Sequence, residues 1–393
     1  MSWPMVSLDK LCGIQIGRTP RRANTEYWKD GTEPWVSIAD LSRSRVAGET
    51  KEKITPFAVK DSGCKIVPAN TVLFSFKLSI GKVAISDRPL FTNEAIAALP
   101  VLDEEQLDME FLARALEALD FSEAGQRAVM GKTLNKASLA EIKIPLPPLD
   151  EQRRIAGILD AADALRRRRR EALALLDTLP GAIFAEMFGD PVEKSPDRRF
   201  VPLGAITSKI GSGATPRGGA KVYQGEGTKF IRSMNVRDGT FSEEGMVCIA
   251  DKAAKQLSNV EVTQDDVFRN ITGASVARCC RSNVALSGAR VNQHVAIIRP
   301  QNPAFTDFIM GTLCHPHMNA DLLRIAEAGA TRQAITKSEI ERLEVPAPTE
   351  NEAEEYSSRL RAAKGMRDQV SEHYSQLETL FASLQSRAFA GEL

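Results

Sequence analysis

The segment IAGILDAADALRRRRREALALLDTLPGAI (155–183) decides how this 393-residue chain is organised. Ile155, Ile158, Ala162, Leu165, Arg169, Ala172, Leu176, Leu179 and Ile183 step through it by alternating threes and fours. A 3.5-residue period held over almost four heptads marks a helix that lays one narrow seam against another helix. A matching seam lies 201 residues further on: Tyr356, Arg359 with Leu360 beside it, Ala363, Met366, Val370, His373 with Tyr374, Leu377, Leu380 and Leu384. Two such helices in one chain bury their seams most simply against each other. At 1.5 Å per residue, about 35 residues span roughly 50 Å, which predicts a rigid spacer. Successive helical residues are about 100° apart, so Arg166 to Arg170 cannot form one stripe. Arg169 falls on the seam, where its duplicate is Val370. It is expected to set register or to pair with an acid across the seam. Arg169→Leu should therefore fold at least as stably.

The repeat extends beyond the helices, as a duplicated unit should. Val6-Ser-Leu8 faces Val201-Pro-Leu203, and Gly17-Arg-Thr-Pro20 faces Gly213-Ala-Thr-Pro216. Trp35 to Asp40 parallels Phe230 to Asn235, TNEAIAALP (92–100) parallels VNQHVAIIR (291–299), and Gly131-Lys-Thr133 parallels Gly329-Ala-Thr331. IPLP (144–147) matches VPAP (345–348), and Leu176-Asp-Thr-Leu179 matches Leu377-Glu-Thr-Leu380. Each half reads as a globular unit of about 150 residues, within the usual domain size, followed by a long helix. Apolar, β-branched runs such as Lys65-Ile-Val-Pro68, Thr71 to Phe76, Lys82 to Ser86 and His294 to Arg299 are punctuated by glycine, proline and asparagine. They predict a twisted, mainly antiparallel sheet in each unit. One helix follows in each, over 110–119 and 306–324.

Lysine plus arginine equals aspartate plus glutamate at 51 each, so any nucleic-acid binding must come from local patches. The six cysteines show no CxxC repeat, and no apolar run nears the roughly 18 residues of a membrane span. A reducing cytoplasm is the expected location.

No catalytic motif in the sequence is convincing. Asn302-Pro-Ala-Phe305 resembles the turn with which amino-methylases hold an exocyclic amine. It lacks the second proline and any upstream FxGxG, so a proline turn is the stronger reading. Cys314-His-Pro-His317 offers soft ligands without a second pair, and surface histidines with no metal are expected. Glu49-Thr-Lys51 is an isolated spacing, and neither GxxxxGK(S/T) nor GxSxG occurs.

The loops instead carry side chains suited to DNA. The first unit offers Arg18, Thr19, Arg21, Arg22, Lys77, Lys82, Lys132 and Asn135. The second offers Arg217, Arg232, Asn235, Arg269, Asn270, Thr272, Arg278, Asn292, Gln293, His294, Arg332 and Gln333. Arginine suits phosphates and the O6/N7 edge of guanine, while asparagine and glutamine suit adenine.

GKTLNKASLAEIKIPLPPLDEQRRIAGIL (131–159) and LQSRAFAGEL (384–393) strongly resemble the specificity subunit of type I restriction-modification systems. The resemblance runs through the whole chain, including the Gly-x-Thr-Pro turns at Gly17 and Gly213. It implies an α+β protein in which two pseudo-symmetric α/β target-recognition domains are separated by two long helices packed as an antiparallel coiled coil. The boundaries are then 1–148, 149–190, 191–348 and 349–393. Each domain would read one half of an asymmetric bipartite site on double-stranded DNA. The helices would fix the gap and scaffold two methyltransferase subunits, and motor-nuclease subunits would join for cleavage. No cofactor is implied in this chain; S-adenosylmethionine, ATP and magnesium would belong to the partners. The second junction departs from the pattern, reading VPAPTENEAEEY where the first reads IPLPPLDEQRRIA. Two other classes compete: a coiled-coil adaptor for proteins, and a self-contained amino-methylase built around Asn302.

Overall fold

The computed structural model describes residues 3–121, 134–327 and 334–393. Lys132, Arg332 and Gln333 lie outside the described residues. Contacts divide the chain into two compact units, Met1–Arg170 with Glu372–Leu393, and Glu171–Ser371. The two long helices span Leu149–Phe188 and Glu350–Ala390. Each therefore gives half of its length to each unit, and packing joins what the sequence boundaries treat as separate segments.

In the first unit the main sheet has the order Gln15–Ile16, Ile96–Leu99, Val72–Ser75, Val83–Ser86, Val46–Ala47. In the second it runs Thr207–Ser212, Val295–Pro300, Val267–Asn270, Cys279–Arg281. Their central strands are buried on both faces, which is why they read as unbroken apolar runs instead of alternating ones. Each unit also has a three-stranded sheet with one antiparallel and one parallel pairing, centred on Glu33–Val36 and Thr228–Ile231. A third pairing closes each unit. Met5–Ser7 runs antiparallel to Lys143–Pro145, and Phe200–Pro202 to Glu344–Pro346, with Val6 opposite Ile144 and Val201 opposite Val345. The proline junctions are thus anchored beside the strand that opens their unit, four residues before a long helix begins.

Gln152 of the first junction is fully buried. Its Nε2 donates to Gln106 O (2.9 Å) and Pro147 O (2.8 Å), and its Oε1 accepts from Asp108 N (2.9 Å). The second junction uses a capping box instead: Thr349 Oγ1 accepts from Glu352 N, and Glu352 Oε2 accepts from Thr349 N. The acidic departure in sequence is therefore also a change of local fastening.

A docking helix covers each main sheet, Met109–Ala118 in the first unit and Thr306–Cys314 in the second. The expected single helix over 306–324 is two helices, because His315 takes φ −60°, ψ 134° and the second begins at Pro316. Proline disfavours a helical residue before it and supplies no N–H to the preceding turn.

Within both units the long helices pack antiparallel. Arg166 chelates Glu378 at 2.7 Å in the first; Arg359 reaches Glu186 (2.7 Å) and Arg367 reaches Asp177 (2.6 Å) in the second. Ile155, Ile183, Tyr356 and Ala363 are buried, and Ile158, Ala162, Leu176, Leu179, Val370, Leu377 and Leu384 are partly buried. Four seam assignments are corrected: Leu165, Arg169, Met366 and Leu380 are exposed. In the first unit the covered line runs Ile155, Leu159, Ala162, Arg166 and meets Phe381, not Leu380. A straight helix drifts about 20° per heptad from a 3.5 repeat, and the sheet units compete for the same face. Arg166 takes the interhelical role assigned to Arg169, its guanidinium lying 4.1 Å above the Phe381 ring.

Candidate nucleic-acid interface

One end of each main sheet is built around a glycine that has no room for a side chain. At Gly17 a Cβ would overlap the carbonyl oxygens of Thr92 and Asn93; at Gly213 it would overlap those of Val291 and Asn292. Matched hydrogen bonds pin both turns: Arg18 N to Thr92 O (2.8 Å) and Ala214 N to Val291 O (3.0 Å). The neighbouring loop is tied in by Phe76 N to Ala95 O in one unit and Ile271 N to His294 O in the other, both 3.0 Å. The Gly-x-Thr-Pro turns thus occupy the same niche twice, a position only glycine can fill.

In the first unit this niche presents exposed Arg18, Arg21 and Arg22, with Thr19 hydrogen-bonded to Glu94 and with Lys77 in the adjoining loop. Arg18 Nη1 donates to Ser62 O (3.1 Å). Arg22 stacks 3.9 Å above Trp28 and 4.8 Å from Trp35, and its Nη2 bonds Glu52 (3.0 Å). Among the described residues no side-chain hydrogen bond or ion pair holds exposed Arg21, which leaves it available to a phosphate. In the second unit the niche gathers Arg217, exposed Gln293, and His294, whose Nδ1 lies 2.6 Å from Thr272 Oγ1. The two niches share a backbone and differ in chemistry: arginine-rich in one, amide- and imidazole-bearing in the other.

The family model "Type I restriction modification DNA specificity domain" matches residues 2–174. The chain is 27% identical over 216 residues to the type I restriction enzyme MjaIX specificity subunit of Methanocaldococcus jannaschii, covering 54% of this chain and 49% of that one. It is 22% identical to the EcoBI specificity subunit of Escherichia coli over 100% of this chain and 86% of the other. The fold is also that of a type I restriction-modification S subunit from M. genitalium, with TM-score 0.57, 15% identity, and coverage of 99% and 96%. Residues 2–174 thus resemble the type I restriction-modification DNA specificity domain, and the chain as a whole has the fold of such a subunit. Its match spans about half the length of the archaeal relative.

Several residues that the sequence suggests for a DNA interface are committed elsewhere. Arg269 is 1% exposed, because strand alternation points it beneath the docking helix. Its Nη1 donates to Leu313 O (2.7 Å) at that helix's C-terminal end and its Nη2 to Asn319 Oδ1 (3.2 Å). Burial lowers its pKa, with Cys279 and Cys314 opposing. Asn270, fully buried, bonds Ser233 O and Ser275 Oγ. Asn235, also fully buried, accepts from Arg232 N and donates to Ser242 O and Glu244 O, shaping its own turn. Buried Asn292 accepts from His294 N and orients that turn instead of facing a base. These four are corrected from DNA contacts to scaffold residues.

Others remain at the surface but are engaged. Asn135 Oδ1 caps helix Lys136–Ala140 through Ser138 N (3.0 Å), Lys82 Nζ contacts Ser42 Oγ, and Arg232 Nη2 donates to Gly245 O (2.5 Å). Arg278 is half-buried. Sequence reasoning missed the Trp28–Trp35 platform, whose rings meet edge-on at 5.1 Å beneath Arg22. Two tryptophans seven residues apart carry no local signal that they converge. Asn302 caps a short turn through Ala304 N and donates to Glu350, in keeping with the proline-turn reading. All six cysteines are free, and among the described residues no helix is long and apolar enough to cross a membrane.

Proposed function

We propose that this chain selects the DNA site of a type I restriction-modification complex, each unit reading one half of an asymmetric bipartite sequence. The observation that carries this is the duplicated glycine niche, which presents two different sets of side chains from one backbone geometry. Arginines of the first set suit guanine edges and phosphates, and Gln293 of the second suits adenine. The long helices set the gap between half-sites and carry two methyltransferase subunits. Exposed Leu165, Leu380 and arginines 167–170 in the first unit, and exposed Leu175 and Met366 in the second, supply apolar and cationic surface for that contact. Adenine methylation would use S-adenosylmethionine held by those subunits, and ATP and magnesium would serve motor-nuclease subunits.

The test is binding and methylation with the methyltransferase subunits present. Arg21→Ala should weaken binding and make it less salt-dependent by about one unit of log–log slope. Gln293→Ala should relax base preference in one half-site while leaving the other unchanged. Methylated-adenine mapping reads both halves at once. A loss of discrimination spread equally over both half-sites, or affinity indifferent to salt, would overturn the reading.

A further inference from the structure

Cys314-His-Pro-His317 lacked further ligands in sequence, and folding brings one. Asp190, two residues beyond the first long helix, meets both histidines; ligand atoms of Asp190, His315 and His317 all lie within 4.8 Å of one another. The carboxylate is pre-oriented. Its Oδ1 accepts from Val192 N (2.8 Å) and Glu193 N (3.3 Å), which leaves Oδ2 facing His317 Nδ1. Burial would raise its pKa, but those amides and His317 together hold it below the ordinary carboxylate range. Pro316 stiffens the link between the two imidazoles, whose rings stand 5.4 Å apart and nearly perpendicular. His315 Nδ1 now takes only a long bond from His317 N, 3.3 Å.

We propose that Asp190, His315 and His317 bind one divalent transition-metal ion, zinc fitting the donor set best, with water completing the coordination. Two imidazoles and one carboxylate are zinc ligands at about 2.0–2.2 Å, which puts ligand atoms roughly 3.3 Å apart. Side-chain rotation accomplishes that contraction, since His317 is largely exposed. The ion takes the place of the hydrogen bond between His317 Nδ1 and Asp190 Oδ2. It would cross-link chain positions about 125 residues apart, closing a long loop. It would join the end of the long helix to the break between Thr306–Cys314 and Pro316–Glu327. The first unit has Ala118 and Asp120 at the matched positions, so one ion per chain is expected.

Tag-free full-length chain, stripped with chelator, is titrated with zinc by calorimetry and with cobalt by visible absorption. One equivalent should bind, with tetrahedral or five-coordinate cobalt bands, and zinc should raise the melting temperature. Asp190→Asn keeps an acceptor for the two amides but removes the charge; it should melt normally without metal and bind at least tenfold more weakly. His317→Ala should do the same. The absence of saturable binding would overturn the proposal. So would binding unchanged in the Asp190→Asn, His317→Ala double variant, which would put the ion on the thiols instead.

Discussion

Beneath its docking helix each unit buries an arginine, but from opposite sides. Arg114 comes from the helix of the first unit and meets Asp160 (2.7 Å), Glu117 (2.8 Å) and Asp163 (3.3 Å). Arg269 comes from the sheet of the second and hydrogen-bonds two neutral oxygens beside the thiols of Cys279 and Cys314, with no carboxylate in hydrogen-bond contact. The positions are true counterparts. Phe74 pairs with Ala97 as Arg269 pairs with Ala296, and Phe111 and Arg114 align with Phe308 and Gly311. Where the first unit has Arg114 and Ile155, the second has Gly311 and Tyr356, and an aromatic cluster of Phe184, Phe188, Phe308 and Tyr356 replaces the ion pairs. Duplication has kept register and exchanged chemistry. A buried cation is integral where acids neutralise it and replaceable where they do not.

The largest effect should come from Gln152→Ala, whose counterpart is Ala353. Three buried partners lose their bonds at once, and roughly 4 kcal/mol of first-unit stability should go, read as a shift in denaturant midpoint. A loss under about 1 kcal/mol would mean water replaces the amide freely.

Arg114→Leu should follow, at about 3 kcal/mol, somewhat below a fully buried pair because its acids are partly exposed. Asp160 links this to pH. Burial alone would raise its pKa, but Arg114 and Arg45 outweigh burial and depress it. A depressed carboxylate stabilises above its unfolded pKa and loses that contribution as pH falls through the folded one. Wild type should therefore weaken below about pH 4, and Arg114→Leu, lacking Arg114's share of that stabilisation but keeping Arg45's, should change less over the same interval.

Gly311→Ala tests the aromatic solution. Its Cβ would lie 2.5 Å from Tyr356 Oη and 2.9 Å from Phe184 Cδ2, and about 2 kcal/mol of overpacking is expected. Adding Tyr356→Phe should recover part of it. The smallest effect should be Arg269→Phe, which imports the first unit's residue. Melting should stay within about 1 kcal/mol of wild type, because losing an uncompensated buried charge offsets the lost helix-end bonds. A loss above about 3 kcal/mol would show that a neighbouring anion pairs with it.

Much of the site was legible because glycine and proline act locally. Gly17 and Gly213 mark turns whichever sheet they serve, and both niches form where the repeat puts them. What each side chain faces was less legible. Arg269 and Asn270 looked like loop cations and amides, yet they sit on the strand Val267–Asn270 with both faces covered. Trp28 and Trp35 converge under Arg22, and Asp190 meets His315 and His317, through contacts between distant segments.

The sequence alone determined the duplication, the two long helices, the proline junctions and the glycine turns. Periodicity, capping and backbone permissiveness are properties of neighbours along the chain. Only the tertiary structure decided which arginine lies between the helices, which unit buries its cation in salt bridges, and which asparagines are spent on turns. Those outcomes depend on the rotational phase of each element against whatever packs across from it, and that partner is fixed by long-range burial.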